Sequence, residues 1–261
     1  MRQYSNTYII GFATVVCLVC SIVVSTSAVA LRERQDRNKV LDRQTNVLVV
    51  AGLIGEGEKK TPEEGDELFA DNIVIRAVDL ASGTYDDSLD GGTYDQRKAA
   101  KDPSTSKAAP GNLAGVTRLP KSGLVYQRMA DGEVATLILP IEGKGLWSTL
   151  YGFLALAPDA TTIEGITFYE HGETPGLGGE IDNPSWKSVW VGKQAFDENW
   201  QPAVEVIKGN AGGVEEDPYR VDGISGATLT ARGVSHLVRF WLGENGYERY
   251  LENFRKEESG S

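Results

Sequence analysis

From Tyr8 to Leu31 the chain reads YIIGFATVVCLVCSIVVSTSAVAL, without a single charged residue. Its polar members are Thr, Ser and Cys, which can bond back to helix carbonyls. About 20 apolar residues in a helix cross the hydrocarbon of a bilayer. A cleaved signal peptide is the competing reading: Arg2 as the basic flank, Ile9 to Val24 as the apolar stretch, and AVA at 28–30 as the small-residue cleavage site. The uncharged run is long for that, so an uncleaved single-pass anchor over residues 1–31 is expected. Both readings put the remainder at or beyond a membrane. Arg32, Arg34, Arg37, Lys39 and Arg43 follow the run and only Arg2 precedes it. Counting Lys and Arg would hold the following domain in the cytoplasm, but long domains translocate largely regardless of charge. Charge alone leaves the orientation open. Cys17 and Cys20, the two cysteines of the chain, share a face of this helix and read as small apolar fillers. The rest of the chain has no thiol for disulfides or metal.

Residues 32–261 read as one soluble domain. With 41% apolar and 24% charged residues among 261, the chain has the composition of a folded protein. A net charge of −11 argues against a nucleic-acid partner. Residues 31–53 continue as a helix with an apolar face of Val40, Leu41, Val47, Leu48, Val50 and Leu53, which Gly55 and Gly57 end. An element at 67–80 turns strand-like near its close. Residues 82–123, rich in Gly, Asp, Lys and Ser, read as a long loop or insertion. Strands are expected within 123–129, 132–143, 145–158, 162–173 and 202–209. Val234, Leu237, Val238 and Trp241 have the spacing of one buried helix face, stopped by Gly243, and 247–256 is a last short helix. Strands without regular βαβ alternation favour an α+β fold with a largely antiparallel sheet and flanking helices.

HGETPGLGGE, His171 to Glu180, has four glycines in ten residues and cannot be a regular element. Glycine lets backbone approach a ligand closely, but the spacing matches neither a dinucleotide-binding loop nor a P-loop. A tight structural turn is an equal reading. His171 and His236 have no partners at metal-ligand spacing, and no nucleophile–base pair is apparent. Trp186 and Trp190, four apart, would share a helix face as core. Trp147 follows a Gly-x-Gly entry that suits a planar heterocycle. In DGISGATLTARGV, Asp222 to Val234, Thr230 would cap a helix beginning near Ala231, and Ser225 could serve the turn after Gly223. Thr228 is left over beside Gly226 and Ala227. A hydroxyl at a helix N-terminus, where free N–H groups attract phosphate, is well sited to carry a phosphoryl group.

DGISGATLT closely resembles the flavinylation motif D-x-x-S/T-G-A-T, which implies FMN joined by a phosphoester to its last threonine, Thr228. The run LVCSIVVSTSAVALR, YDQRKAAK at 94–101, GLWSTLY at 145–151, HGETPGLGGE, NPSWKSVWVGK and VDGISGATLTARGV together resemble the NqrC family, the C subunits of sodium-translocating NADH:quinone oxidoreductases. The flavoprotein G subunit of the Rnf complex shares the anchor plan, the glycine loop and the S/T-G-A-T core, but would not share YDQRKAAK or NPSWKSVWVGK. It is the alternative reading, with a stand-alone exported FMN carrier as another. The resemblance implies a bacterial inner-membrane electron-transfer subunit with its FMN domain in the periplasm. Its partners would be other membrane subunits of the complex and a flavin transferase. Glu173, Thr174, Gly176, Leu177 and Gly178 would line the ring, with Leu146 and Trp147, while Ser225, Gly226 and Ala227 would frame the tether.

Overall fold

The computed structural model describes residues 5–58 and 60–259. Arg2, the basic flank of the signal-peptide reading, lies outside them. The chain divides into two compact units, Met1–Arg43 and Gln44–Ser261. In the first, helix α1 (Asn6–Val50) carries an apolar stretch long enough to cross a membrane, with none of that stretch buried. Cys17 and Cys20 are exposed on it.

The second unit begins with the last turns of α1, where Val47, Leu48 and Val50 are buried. The helix stops at Val50, not at Gly55 and Gly57. Gly52, in the left-handed region at φ 69°, turns the chain. Helix α2 (Pro62–Asn72) starts with a capping box in which Thr61 and Glu64 bond each other's backbone, worth about 1 kcal/mol. Strand β1 (Ile73–Asp79) follows directly.

The stretch 82–123, expected as a long loop, instead holds short ordered elements: β2 (Thr84–Tyr85), α3 (Gln96–Lys101), β3 (Ser106–Ala108) and β4 (Arg118–Pro120). Then come β5 (Ser122–Ala130), β6 (Glu133–Lys144), β7 (Thr149–Leu156) and β8 (Ile163–Glu170). A six-stranded antiparallel sheet runs β2-β1-β5-β6-β7-β8. The remaining elements are a 3-10 helix (Gly178–Asp182), α4 (Pro184–Ser188), β9 (Glu205–Val206), β10 (Arg220–Val221), α5 (Thr228–Leu242) and α6 (Glu248–Ser259). The 3-10 turn corrects the expectation that HGETPGLGGE is wholly irregular, since its end at Gly178–Glu180 is helical. The pair β9–β10 is parallel. The fold is α+β, an antiparallel sheet with flanking helices.

Alternation along the strands makes two cores. Leu137, Leu139 and Ile141 of β6 face a core shared with Val234, Leu237 and Trp241 of α5 and with Trp186 and Trp190. Ile138 and Phe153 face the other, with Val47 and Leu48 of α1 and Phe69 of α2. Both tryptophans are core, as the spacing suggested, but not on one helix face. The helix α4 is five residues long and ends at Ser188, and the two rings meet edge to face at 5.7 Å.

Candidate functional site

The turn between β6 and β7 is Gly145–Ser148, closed by the Gly145 N–H donating to the Ser148 carbonyl at 2.9 Å. Its tip carries Leu146 and Trp147. Beneath it lies Glu173, buried at 5% exposure. Its Oε1 accepts from the backbone N–H groups of Trp147 (2.9 Å) and Ser148 (3.1 Å). Its Oε2 accepts from Leu146 N–H (3.2 Å) and from the Thr230 hydroxyl (2.6 Å). Burial alone would push this carboxyl's pKa up. The bonds from Thr230, Trp147, Ser148 and Leu146 outweigh burial and hold it below the usual carboxylate range. The fit is close. A Cβ on Gly145 would stand 2.7 Å from Oε1, and one on Gly178 would stand 2.8 Å from Oε2 and 2.6 Å from the Thr230 hydroxyl. On the loop side, Glu173 N–H donates to His171 Nδ1 at 3.2 Å, and His171 Nε2 faces Asp182 at 2.7 Å.

The helix start is earlier than the motif suggested. Helix α5 begins at Thr228, its N-cap is Ala227, and no side chain caps it. Thr230 is therefore not the cap. It sits in the first turn, 0% exposed, and gives its hydroxyl to Glu173. Thr228 is the first helical residue and is exposed. The first N–H groups of a helix have no partner within it, and Ala227 has no side-chain acceptor to offer them.

Around this uncapped end stand large apolar side chains in solvent: Trp147 at 72%, Leu229 at 54%, and Leu146 and Leu177 at 46% each. They ride on the hairpin tip, the glycine loop and α5, the three segments that Glu173 ties together. Leu177 lies over the S-G-A-T turn, where a Cβ on Gly226 would come within 2.9 Å of its Cδ2. Gly226, at φ 74°, and Gly176, at φ 75°, are in the left-handed region. Gly178 is not, so crowding and not backbone conformation demands a glycine there. Thr174 and Ser225 are exposed.

The other side of Thr228 is a cleft of about 740 Å³ between α5 and residues 205–210, with Glu205, Lys208, Arg232, His236 and Arg239 among its lining residues. Burial first, then the charges of Arg232 and Arg239, hold the His236 pKa below its ordinary value. Asp222 ties together the segments behind the cleft. Its Oδ1 accepts from Ala211 N–H at 2.7 Å, and its carbonyl accepts from Trp186 Nε1 at 2.8 Å.

Sequence reasoning singled out Thr228, Ser225, Gly226, Ala227, Glu173, Thr174, Gly176, Leu177, Gly178, Leu146 and Trp147, and the structure gathers them at one end of the domain. It turns the Glu173 carboxylate inward, away from the exposed apolar side chains. The same reasoning noted Gly145 only as part of the Gly-x-Gly entry, and passed over Asp222, Arg232 and the inward role of Thr230. The Asp that opens the D-x-x-S/T-G-A-T pattern was the available signal for Asp222.

A family model for the FMN-binding domain matches residues 145–243. The chain is 47% identical to the C subunit of the Na(+)-translocating NADH-quinone reductase of Pseudomonas aeruginosa, over 99% of both chains. It is 48% identical to the protein of that name from Vibrio vulnificus, over 94% of both. A crystal structure of the Shewanella oneidensis NqrC, 35% identical, superposes with a TM-score of 0.74 over 82% of this chain and 96% of that one. The corresponding Na(+)-translocating NADH-quinone reductase protein of Parabacteroides distasonis superposes at 0.66 with 27% identity, over 85% and 96%. At that identity over nearly its whole length, the chain belongs to the NqrC family, the C subunits of the sodium-translocating NADH-quinone reductases.

Proposed function

We propose that the chain carries FMN as a phosphoester on the Thr228 hydroxyl and passes electrons through it within a sodium-pumping NADH:quinone reductase. One observation carries this reading. Thr228 is an exposed hydroxyl on the first residue of an uncapped helix, beside exposed Trp147, Leu146, Leu177 and Leu229. The parts fit the group. Unpaired N–H groups and the helix dipole favour a phosphate at that hydroxyl. Flat apolar surface favours a three-ring heterocycle. Lys208 and Arg232 line the cleft on the phosphate side.

The bound flavin would supply the redox chemistry, and the protein would supply attachment, orientation and electrostatics. In this reading Thr228 is the tether, and a separate flavin transferase makes the bond. The threonine oxygen attacks the phosphorus of an activated flavin nucleotide, the hydroxyl proton leaves, and the bond to the nucleotide's leaving group breaks. Leu146, Trp147 and Leu177 hold the ring. Other membrane subunits deliver and remove the electrons. Helix α1 is the single membrane anchor, with the FMN domain on the periplasmic side of the inner membrane.

The test is expression with a flavin transferase, followed by in-gel flavin fluorescence after denaturation and by peptide mapping. Thr228→Ala abolishes the signal and Ser225→Ala retains it. Flavin mapped to Ser225 or Thr230 sinks the assignment. A reporter fused after Ser261 is active outside the cytoplasm only. Cytoplasmic activity would show that the Lys and Arg count after Leu31 sets the orientation.

A further inference from the structure

We infer that Glu173 is a positioning residue which also places a fixed, unpaired negative charge behind the flavin site and so lowers the potential of the flavin held there. The inference rests on the reading that the flavin is carried on Thr228.

Three observations lead to it. First, Glu173 joins three segments far apart in sequence: its own glycine loop, the hairpin tip 25 to 27 residues before it, and the first turn of α5, 57 residues after it. The hairpin tip presents Leu146 and Trp147, and the helix turn presents Thr228. One carboxylate therefore bridges ring support and tether, alongside the direct packing of Gly233 on Lys144 and Gly145.

Second, every partner of that carboxylate is a neutral donor. Among the described residues it forms no ion pair. The nearby His171 ring meets the Glu173 backbone N–H at Nδ1 and Asp182 at Nε2, so its ring nitrogens face groups other than the Glu173 carboxylate. A carboxylate that is 5% exposed and unpaired with any cation is poorly screened by water. Its repulsion of a nearby added electron is correspondingly strong.

Third, the pocket is cut for a carboxylate and not for its amide. Each oxygen faces two main donors, one pair from Trp147 and Ser148 and one from Leu146 and Thr230. Gln would turn an NH2 group towards one pair of N–H and O–H donors. Gly145 and Gly178 leave the room, since a Cβ on either would meet an oxygen at under 3 Å. Structural bracing alone would not call for a charge with no counter-ion, because burying one is costly.

The test uses the flavin-loaded full chain with two variants that act in opposite directions. Glu173→Gln removes the charge and nearly keeps the shape, so the midpoint potential rises. Thr230→Val keeps the charge and removes one donor that spreads it, so the potential falls. A purely structural role shifts the melting temperature in both variants and moves neither potential. A loaded Glu173→Gln chain with the wild-type potential overturns the inference. If Glu173→Gln does not load flavin, Thr230→Val decides: a lower potential supports the inference and an unchanged one overturns it. The positioning half is read without flavin, in the Thr228→Ala background. There Glu173→Gln speeds hydrogen exchange at the Leu146, Trp147 and Ser148 amides by about tenfold, and unchanged exchange overturns that half. Absence of covalent flavin from the otherwise unaltered chain overturns the tether reading alone, and the exchange result still stands.

Discussion

The two sides of the first turn of α5 invert the usual order of a protein. Outward, Thr228 is flanked by Leu229, Leu177, Leu146 and Trp147, all between 46% and 72% exposed. Inward, two residues along, Thr230 is fully buried against a charged carboxylate. Apolar surface faces water and polar groups fill the interior. Large exposed apolar groups mark sites of binding, and a satisfied buried polar network fixes one geometry. The outward side is thus shaped to receive something, and the inward side keeps it in shape. Substitutions on the two sides should differ accordingly, with outward changes costing flavin and inward changes costing stability.

Gly178→Val is the strongest way to break that contrast. Its first carbon alone would crowd Thr230 and Glu173 at 2.6 and 2.8 Å. Overpacking and a lost buried bond destabilise by about 2–5 kcal/mol together, read as a lowered denaturant midpoint. An unchanged midpoint would mean that the inward side is soft. Gly145→Ala presses on Oε1 at 2.7 Å with a single added carbon, and should cost about 1–3 kcal/mol. Acid probes the same node more gently. The folded-state pKa of Glu173 is lowered, so its contribution is complete above the unfolded carboxylate value of about 4.3. It is lost as pH falls from there through the lower folded value. Stability between pH 5 and pH 3 should therefore fall less in Glu173→Gln than in the parent chain. On the outward side, Thr174→Ala should change stability by less than about 0.5 kcal/mol. Trp147→Ala should do the same while weakening the hold on the ring, seen as a shifted flavin absorbance.

Much of this was legible in the sequence because it was local. The uncharged run, the glycine-bounded β-branched and aromatic stretches of β6 and β7 and the four-residue face of α5 are patterns within one element. The leftover threonine stood out by elimination, although the elimination misplaced the helix start. Thr230 looked like a cap because a hydroxyl before an apolar-periodic run usually is one. Its actual partner is Glu173, 57 residues away in sequence, and no local pattern announces such a contact. The same holds for Gly145, which is glycine because of a side chain from another segment. The elements inside 82–123 escaped because strands of two or three residues are too short to show a period. The strand β3, for instance, is defined by its pairing with β4.

The hairpin tip braced from below also bears on speed. An electron moves quickly between centres when its surroundings have little to rearrange on its arrival. The N–H dipoles of Leu146, Trp147 and Ser148 and the hydroxyl of Thr230 are all already turned towards one anion, and close packing around Gly145 and Gly178 holds that anion still. Dipoles fixed in this way cannot swing round to follow a changing charge. With the flavin where we place it, its inner wall would behave as a stiff medium of low relaxation, and most of the response to each electron would fall to the water on its open side.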